Sequence, residues 1–351
     1  MKIAIIAPVM VPVPPQKYGG IERIVDHLAH GLAGRNHAVT VFCAGGSTIS
    51  GERITRVETT PYPTGEHLQE HRAWEEKQLR MVLDRQKEFD LIHFNYEPII
   101  FELRSTGKVT NLLEILTRPA VFTFHNSTDI PQHIEYYRSH PEIYRHTMVF
   151  ISENQRSRVS FFPNVRVIYN ATDVEKYSFK EKKENYLLFL GRIMLEKGIL
   201  DAIAVAKETK IPLVIAAKID QTDRAFYQRE VEPLIDGTLI RFVGELNFSA
   251  KVEYLKKASC LLFPISWEEP FGLVMIEALA CGTPVIAFRR GSVPEIIKDG
   301  VNGYIVDTVN AMAKAVLDVS KISPRACRES VESRFTIDRM VSEYENLFKM
   351  M

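Results

Sequence analysis

Lys2-Ile3-Ala4-Ile5-Ile6-Ala7-Pro8-Val9 and Ala38-Val39-Thr40-Val41-Phe42-Cys43-Ala44 are two short, nearly unbroken apolar runs. Runs of this length and composition read as strands buried on both faces. Between them a proline-rich loop, Val11 to Tyr18, ends in Gly19-Gly20. Ile21, Ile24, Val25, Leu28, Ala29 and Leu32 then recur at helical spacing, with Glu22, Arg23, Asp26 and His27 on the other face. Gly34 stands where a helix stops. Strand, helix and strand in this order form a βαβ unit, which implies parallel strands and a doubly wound sheet.

The same alternation continues outward. Glu66 to Lys87 reads as a charged helix, and Phe89–Phe94, Val121–His125, Met148–Ser152 and Val165–Tyr169 read as strands. Asn170-Ala171-Thr172-Asp173 reads as a turn, and the polar, Lys-rich stretch Val174 to Asn185 as an interdomain linker. A second series places strands at Tyr186–Leu190, Pro212–Ala216, Ile240–Val243, Cys260–Pro264 and Pro284–Ala287, with a turn and strand at Gly300–Val306. Its helices are expected at Leu200–Thr209, Arg224–Ile235, Ser249–Lys257, Gly272–Ala280, Val309–Ser320 and Ile337–Met351. No internal repeat of about 20–50 residues is visible. The expected architecture is α/β, with two Rossmann-like doubly wound parallel-sheet domains, residues 1–172 and 173–336, and a closing helix at 337–351. Two such domains facing each other leave a central cleft, and ligands of open α/β sheets bind outside the carboxyl ends of the strands. Function is therefore sought in loops that follow strands.

Composition narrows the partners. Of 351 residues, 46% are apolar and 25% charged, which excludes disorder, collagen-like repeats and a disulfide scaffold. Lys plus Arg and Asp plus Glu both count 44, and a zero balance argues against nucleic acid as the main partner. Cys43, Cys260, Cys281 and Cys327 form no Cys-x-x-Cys pair and read as reduced, packed thiols of a cytosolic protein. Pro8, Pro12, Pro14 and Pro15 interrupt the apolar N-terminus, so no signal h-region is expected. No apolar run approaches the roughly 18–20 residues that span a bilayer. The expected place is the cytoplasm, without stable membrane insertion and with peripheral contact at a membrane left open.

Four loops carry candidate chemistry. Ser266-Trp267-Glu268-Glu269-Pro270-Phe271-Gly272-Leu273-Val274-Met275-Ile276-Glu277 follows an expected strand. Pro270 suits the first turn of a helix, and Phe271, Gly272 and Leu273 then offer backbone N–H groups to an anion such as a phosphate. Glu269 and Glu277 bracket that end, spaced to take hydroxyls from two different sugar rings; the bland alternative is a carboxylate on the helix dipole and a salt-bridged face residue. Gly191-Arg192-Ile193-Met194-Leu195-Glu196-Lys197-Gly198 carries a cation pair between glycines that suits a diphosphate clamp, against an ordinary loop with surface charges. Tyr18-Gly19-Gly20 permits close approach of a phosphate or sugar, or is a plain turn; it lacks the dinucleotide fingerprint. His125-Asn126 ends a strand and is a polar contact candidate, whereas His93 reads as a satisfied core histidine. No metal-ligand spacing, Gly-x-Ser-x-Gly elbow or Walker loop is present.

Together these pieces resemble retaining glycosyltransferases of the GT-B fold, family 4, along nearly the whole chain. The Glu-x7-Glu stretch Glu269 to Glu277, the Gly-Gly loop Tyr18 to Glu22, Thr123-Phe124-His125-Asn126 and Gly191-Arg192 with Glu196-Lys197-Gly198 carry the likeness. Phe242-Val243-Gly244-Glu245, Gly291-Ser292-Val293-Pro294-Glu295 and Asp299-Gly300-Val301-Asn302-Gly303 add to it. The resemblance implies a nucleotide-sugar donor, UDP-glucose-like first and GDP-mannose second. It implies transfer of a hexose with retention to a hydroxyl acceptor (a sugar, a small molecule or a lipid-linked glycan), with no metal and no cofactor. Arg192 and Lys197 would hold the diphosphate, Glu277 the ribose, and Glu269 the donor sugar. The backbone of Phe271, Gly272 and Leu273 would contact sugar and phosphate, and Gly244 would lie beside the base and ribose. Gly19 and Gly20 would let the diphosphate approach, and His125 would touch an outer sugar hydroxyl. Tyr18, Asn95, His125 and Asn126 would face the acceptor, and the closing helix would cross back to the N-terminal domain. The rivals are a sugar-nucleotide epimerase or phosphorylase of the same fold and a non-catalytic nucleotide-sugar-binding protein. His133, Tyr136, Tyr137, His140 and Tyr144 could stack on an acceptor ring or form a packing face.

Overall fold

The computed structural model describes residues 1–17, 19–58, 68–97, 102–105, 108–111, 115–126 and 131–351. The chain forms two compact units: Met1–Asn170 with Ile337–Met351, and Ala171–Thr336. Each is built on one parallel sheet.

The first sheet contains β1 (Lys2–Ile6), β2 (Ala38–Cys43), β3 (Ile54–Glu58), β4 (Leu91–Phe94), β7 (Ala120–Phe124), β8 (Thr147–Phe150) and β9 (Val165–Val167), in the order β3-β2-β1-β4-β7-β8-β9. A separate antiparallel pair, β5 (Glu102–Ser105) and β6 (Lys108–Asn111), falls between β4 and β7 in the chain. β4 and β7 are buried along their whole length; both are apolar except for His93 and Thr123, which meet each other across the two strands. Helix Gly20–Gly34 turns Ile24, Val25, Leu28, Ala29 and Leu32 inward, as the stripe read from the sequence expects, but Ile21 stays partly exposed, and Glu22 and His27, expected on the other face, are buried. β3 was not expected, because Ile54-Thr55-Arg56-Val57-Glu58 is too polar to read as a buried strand; it lies at the sheet edge, where one side needs no neighbour.

The closing helix Ile337–Lys349 belongs to this first unit. It buries Met340, Val341, Tyr344, Leu347 and Phe348. Val341 packs against Gly31, where an added Cβ would lie 2.4 Å from Val341 Cγ2. Arg35 Nη1 and His37 Nε2 reach the Glu345 carboxylate at 3.0 and 3.1 Å. The Tyr344 hydroxyl meets Thr123 Oγ1 at 2.9 Å, and Thr123 Oγ1 is also 2.7 Å from His93 Nε2. His93 is fully buried beside Tyr344 and Phe348, a core histidine as expected, but only Nε2 is satisfied: its Nδ1 is buried without a hydrogen-bond partner.

The second sheet contains β10 (Leu187–Arg192), β11 (Leu213–Lys218), β12 (Ile240–Phe242), β13 (Cys260–Phe263), β14 (Val285–Phe288) and β15 (Gly303–Val306). Their order is β12-β11-β10-β13-β14-β15, all parallel, so the winding reverses between β10 and β13. A doubly wound sheet opens a ligand crevice at such a reversal.

Several local expectations change here. The stretch 224–235 is not one helix: an α-turn at Arg224–Phe226 passes into a π-segment at Tyr227–Val231 and a 3₁₀ turn at Glu232–Leu234. Pro233 lacks the N–H that a continuous helix would use. Helix Pro324–Glu332 was missed, although Ser323 accepts a bond from the Ala326 amide and Pro324 occupies the first turn, which is a legible start signal. The polar stretch 174–185 is no free linker. Tyr177 is buried, and Lys183 Nζ donates to the Lys256 and Cys281 carbonyls and to Thr283 Oγ1 at 3.0–3.1 Å. Long side chains satisfied by backbone carbonyls look solvated in sequence and are not. All four cysteines are buried thiols outside any disulfide.

Candidate active site

In the second unit, the candidate residues gather on the loops after β10 and β13, the two strands at the winding reversal. Arg192 is the last residue of β10 rather than part of the loop expected after it, because the strand runs two residues further beside β11. Its guanidinium is 3.2 Å from Asp220 Oδ2 through Nη1 and 3.0 Å from Asp223 Oδ2 through Nε. Lys218, opposite Arg192 in register, lies 2.7 Å from Asp220 Oδ1. The two cations are thus matched by two carboxylates from the β11 end, which the sequence reading did not include.

Past β10 the chain makes one 3₁₀ turn, Leu195–Lys197, and Gly198 reverses it with φ +75°. A Cβ there would lie 1.9 Å from the Pro264 carbonyl oxygen at the end of β13. Only glycine permits this contact. The Ser266 amide donates to the Glu196 carbonyl at 2.9 Å, tying the two loops together. Lys197 Nζ then lies 2.5 Å from Glu269 Oε2 and 4.6 Å from the centre of the Trp267 ring.

The Glu268 to Gly272 loop is held by the 290s segment. The Gly291 amide donates to Glu268 Oε2 at 2.8 Å, the Ser292 amide to the Glu269 carbonyl at 3.0 Å, and the Ser292 hydroxyl to the Phe271 carbonyl at 2.7 Å. Phe271 is buried, with its ring edge-on to Phe335 at 5.8 Å. The helix spans Leu273–Ala280 and Gly272 is its N-cap at φ +79°, so Pro270 is not in the first helical turn as expected. The left-handed residue postpones the helix start, and Pro270 instead fixes the loop that buries Phe271. No side chain caps this helix, which leaves its first N–H groups to another partner.

Glu277, on the next turn of that helix, is buried. Its Oε1 accepts from the Tyr177 hydroxyl at 2.7 Å and from Lys251 Nζ at 2.5 Å. It is therefore a buried ion-paired carboxylate, not a solvated face residue. Gly244, at φ +75°, follows β12 at the sheet edge with open space where a Cβ would point.

In the first unit, Gly19 caps helix Gly20–Gly34 and a Cβ on it would sit 2.5 Å from Pro15 Cβ. Gly20 is the first helical residue, and Tyr18 lies outside the described residues. Asn95, past β4, is fully buried and donates to the Ile6 carbonyl at 3.2 Å. Its Oδ1 is 3.3 Å from His125 Nε2. Burial pushes His125 down to about 3, so the ring is neutral and serves as a hydrogen-bonding group. The Asn126 amide donates to Glu97 Oε1 at 3.3 Å.

Sequence reasoning missed Glu97 and placed Glu22 on the outer face of its helix, where the structure does not leave it. Both are buried carboxyls held above the ordinary range by desolvation, Glu22 to about 7. Their signal was position alone: Glu97 three residues past a strand, Glu22 in the first turn of a helix. The aromatic set resolves toward packing, with Tyr137 buried edge-on to Phe124 at 5.8 Å and Tyr136 stacked on His140 at 4.0 Å. The stretches 95–104 and 127–145, which hold Asn95 and the aromatic set, lie partly outside the described residues, at 98–101 and 127–130. Among the described residues no group of three or more His, Cys, Asp or Glu side chains is arranged to hold a metal ion. No described helix is long and apolar enough to cross a membrane.

Two parallel Rossmann-like sheets, with cationic and acidic side chains collected at a winding reversal, define the GT-B class. Solved structures share the architecture: sucrose-phosphate synthase of Thermosynechococcus elongatus has a TM-score of 0.79 at 19% identity over 100% of this chain and 98% of that one. HepE of Anabaena, solved in complex with UDP-glucose, has a TM-score of 0.75 at 17% identity over the whole of both chains. Residues 18–176 match the model of Glycosyltransferase Family 4 and residues 171–331 that of Glycosyl transferases group 1. The chain belongs to the family 4, group 1 glycosyltransferases. An uncharacterized glycosyltransferase of Methanocaldococcus jannaschii is 27% identical over 96% of both chains. A cps-region protein of Klebsiella pneumoniae is 29% identical over 53% of this chain and 55% of its own length, and a glycogen synthase of Mycobacterium tuberculosis 31% identical over 50% and 44%. The chain thus spans about half the length of these last two relatives.

Proposed function

We propose that this protein is a glycosyltransferase that moves a hexose from a nucleoside-diphosphate sugar to a hydroxyl acceptor, with retention and without a metal ion. The observation that carries the reading is that Arg192 at the end of β10 and Lys197, Glu269 and the uncapped helix start at Leu273 on the segments that follow β10 and β13 gather at the β10/β13 reversal.

Breaking a sugar–phosphate bond leaves charge on the departing diphosphate. Preorganised cations and helix N–H groups stabilise such charge without reorganising water. Arg192 and Lys197 supply the cations, Gly272 and Leu273 the N–H groups. Lys197 is not an isolated charge: its contact with Glu269 fixes the amine and the carboxylate together, one toward phosphate and one toward a sugar hydroxyl. Asp220 and Asp223 hold the Arg192 fork, and a diphosphate would compete with them for it. Neutral His125 is suited to a donor-sugar hydroxyl rather than to proton transfer. UDP-glucose is the first donor, a choice supported by the UDP-glucose bound to HepE, and GDP-mannose is the second.

The test is nucleotide release from UDP- and GDP-sugars with chelator present and no acceptor. Release from one donor, retained in chelator and lost in Lys197→Ala, is expected. Donor turnover that requires a divalent ion removes the metal-independent reading. An inverted product, once an acceptor is found, removes retention. Interconversion of the sugar without transfer points to an epimerase.

A further inference from the structure

We propose that Lys251 and Tyr177 are positioning residues that keep Glu277 ionised and aimed, and so set the preference for a ribonucleotide over a deoxyribonucleotide donor. The inference rests on the reading of Glu277 as the ribose-binding carboxylate. Glu277 is only 6% exposed, and a buried carboxylate without a cation favours its neutral form. Lys251 Nζ at 2.5 Å and the Tyr177 hydroxyl at 2.7 Å both meet the same oxygen, Oε1. Two donors on one oxygen fix the rotation of the carboxyl group as well as its charge.

The donors are themselves fixed. Tyr177 is buried and stands edge-on to Phe248 at 5.3 Å, and its own carbonyl accepts from Arg328 Nη1 at 2.6 Å. Lys251 lies in helix Phe248–Lys257, which Asn247 caps through the Ala250 amide at 2.9 Å. Its ammonium is 5.5 Å from the Phe248 ring centre and 5.6 Å from that of Tyr177. The amine therefore sits between two aromatic walls with the carboxylate ahead of it. The other ionisable groups near Glu277 are Cys281, one turn on, and beyond it Lys183, which donates to the Lys256 and Cys281 carbonyls and to Thr283 Oγ1, and Arg328, which donates to the Tyr177 and Ala280 carbonyls and is paired through Nε with Glu332. Lys251 is a cation in direct contact with the carboxylate.

An ionised carboxylate accepts from both ribose hydroxyls with charge-assisted bonds, whereas a protonated one turns one oxygen into a donor and makes weaker bonds with the acceptor capacity that remains. Without Lys251, Glu277 takes up a proton at a higher pH, and ribose affinity falls at low pH and recovers as pH rises. A deoxyribose, which lacks one of the hydroxyls, responds less.

The experiment measures the affinity of UDP, GDP and their 2′-deoxy forms by calorimetry at about pH 6.5 and about pH 8.5. The parent, Glu277→Gln, Lys251→Met, Lys251→Arg and Tyr177→Phe proteins are compared. For the nucleotide the parent binds, a ribose preference of about 10-fold or more is expected at both pH values, since hydrogen bonds to charged groups carry that scale. In Lys251→Met that preference is expected to fall about 10-fold at the lower pH and to return at the higher pH. Lys251→Arg should restore it at both, and Tyr177→Phe should lower it without adding pH dependence. A parent-like preference in Lys251→Met at both pH values overturns the proposal. So does an equal, pH-independent loss of ribo- and deoxyribonucleotides, which would mean that Lys251 touches the nucleotide or only supports the fold. Retained ribose preference in Glu277→Gln, or no nucleotide binding by the parent, instead overturns the reading of Glu277 on which the proposal rests.

Discussion

Gly198→Ala isolates the seat of Lys197. Gly198 has φ +75°, and its absent Cβ would lie 1.9 Å from Pro264 O, a backbone atom that no rotamer change can clear. The left-handed conformation costs a non-glycine residue roughly 1–2 kcal/mol. Forcing the 193–198 loop off the end of β13 adds about 1–3 kcal/mol of overpacking. The sum, about 2–5 kcal/mol, is a large part of a domain's stability. Two controls separate the contributions. Gly244→Ala has the same φ of +75° with nothing within 4 Å, so it should cost only the conformational part. Gly191→Ala, with neither, should stay within about 0.5 kcal/mol. The chain has two tryptophans, so urea unfolding in a Trp74→Phe background reports on the second unit through Trp267, 4.6 Å from Lys197 Nζ. Donor turnover should fall more in Gly198→Ala than in Gly244→Ala, because the displaced turn carries Lys197 away from Glu269. Equal unfolding midpoints for the Gly198 and Gly244 variants would refute a rigid seat.

Other outcomes follow from the same geometry. Arg192→Ala and Lys197→Ala should each lower turnover by about 10²–10³, the scale for losing one electrostatic donor, with folding intact by circular dichroism; near-normal rates in both would remove the clamp assignment. Glu22 is held at about 7 against 4.5 by burial, so the folded chain keeps a proton that the unfolded chain has lost. Its contribution is full below about 4.5 and disappears as pH rises through about 7, so denaturant stability should fall across that window by up to about 3 kcal/mol; Glu22→Gln should flatten the fall. Gly31→Ala would place a methyl 2.4 Å from Val341 Cγ2. It should cost about 1–3 kcal/mol and raise amide exchange in helix Ile337–Lys349 first.

Much of the architecture is visible in the sequence because burial is a local, periodic signal. The runs at β1, β2, β4, β7 and β13 are mostly apolar on both faces, because a strand covered on both faces admits a polar residue only where it finds a partner, as His93 does at Thr123. Helix Gly20–Gly34 shows its inward stripe for the same reason. Departures occur where a residue's environment comes from elsewhere in the chain. The edge strand Ile54–Glu58 tolerates polar residues because it has one neighbour. Lys183 reads as a solvated linker residue because its three acceptors come from residues 256, 281 and 283. The Gly272 cap moves a helix start that Pro270 seemed to mark.

By itself the sequence determined the alternation of strands and helices, the segments that carry Arg192, Lys197, Glu269 and Glu277, and the family. Each of these is a property of neighbours along the chain, through side-chain period, turn residues and short motifs. The tertiary structure alone decided what those side chains meet. Strand order, not sequence distance, brings the loops after β10 and β13 side by side and places Lys197 on Glu269 from 72 residues away. It sets Asp220 and Asp223 against Arg192, and it brings Tyr177 to Glu277 across 100 residues and Lys251 across 26. Charge state follows the same rule, since burial of Glu22, Glu97 and His125 depends on which elements close over them, and desolvation acts only after they have closed.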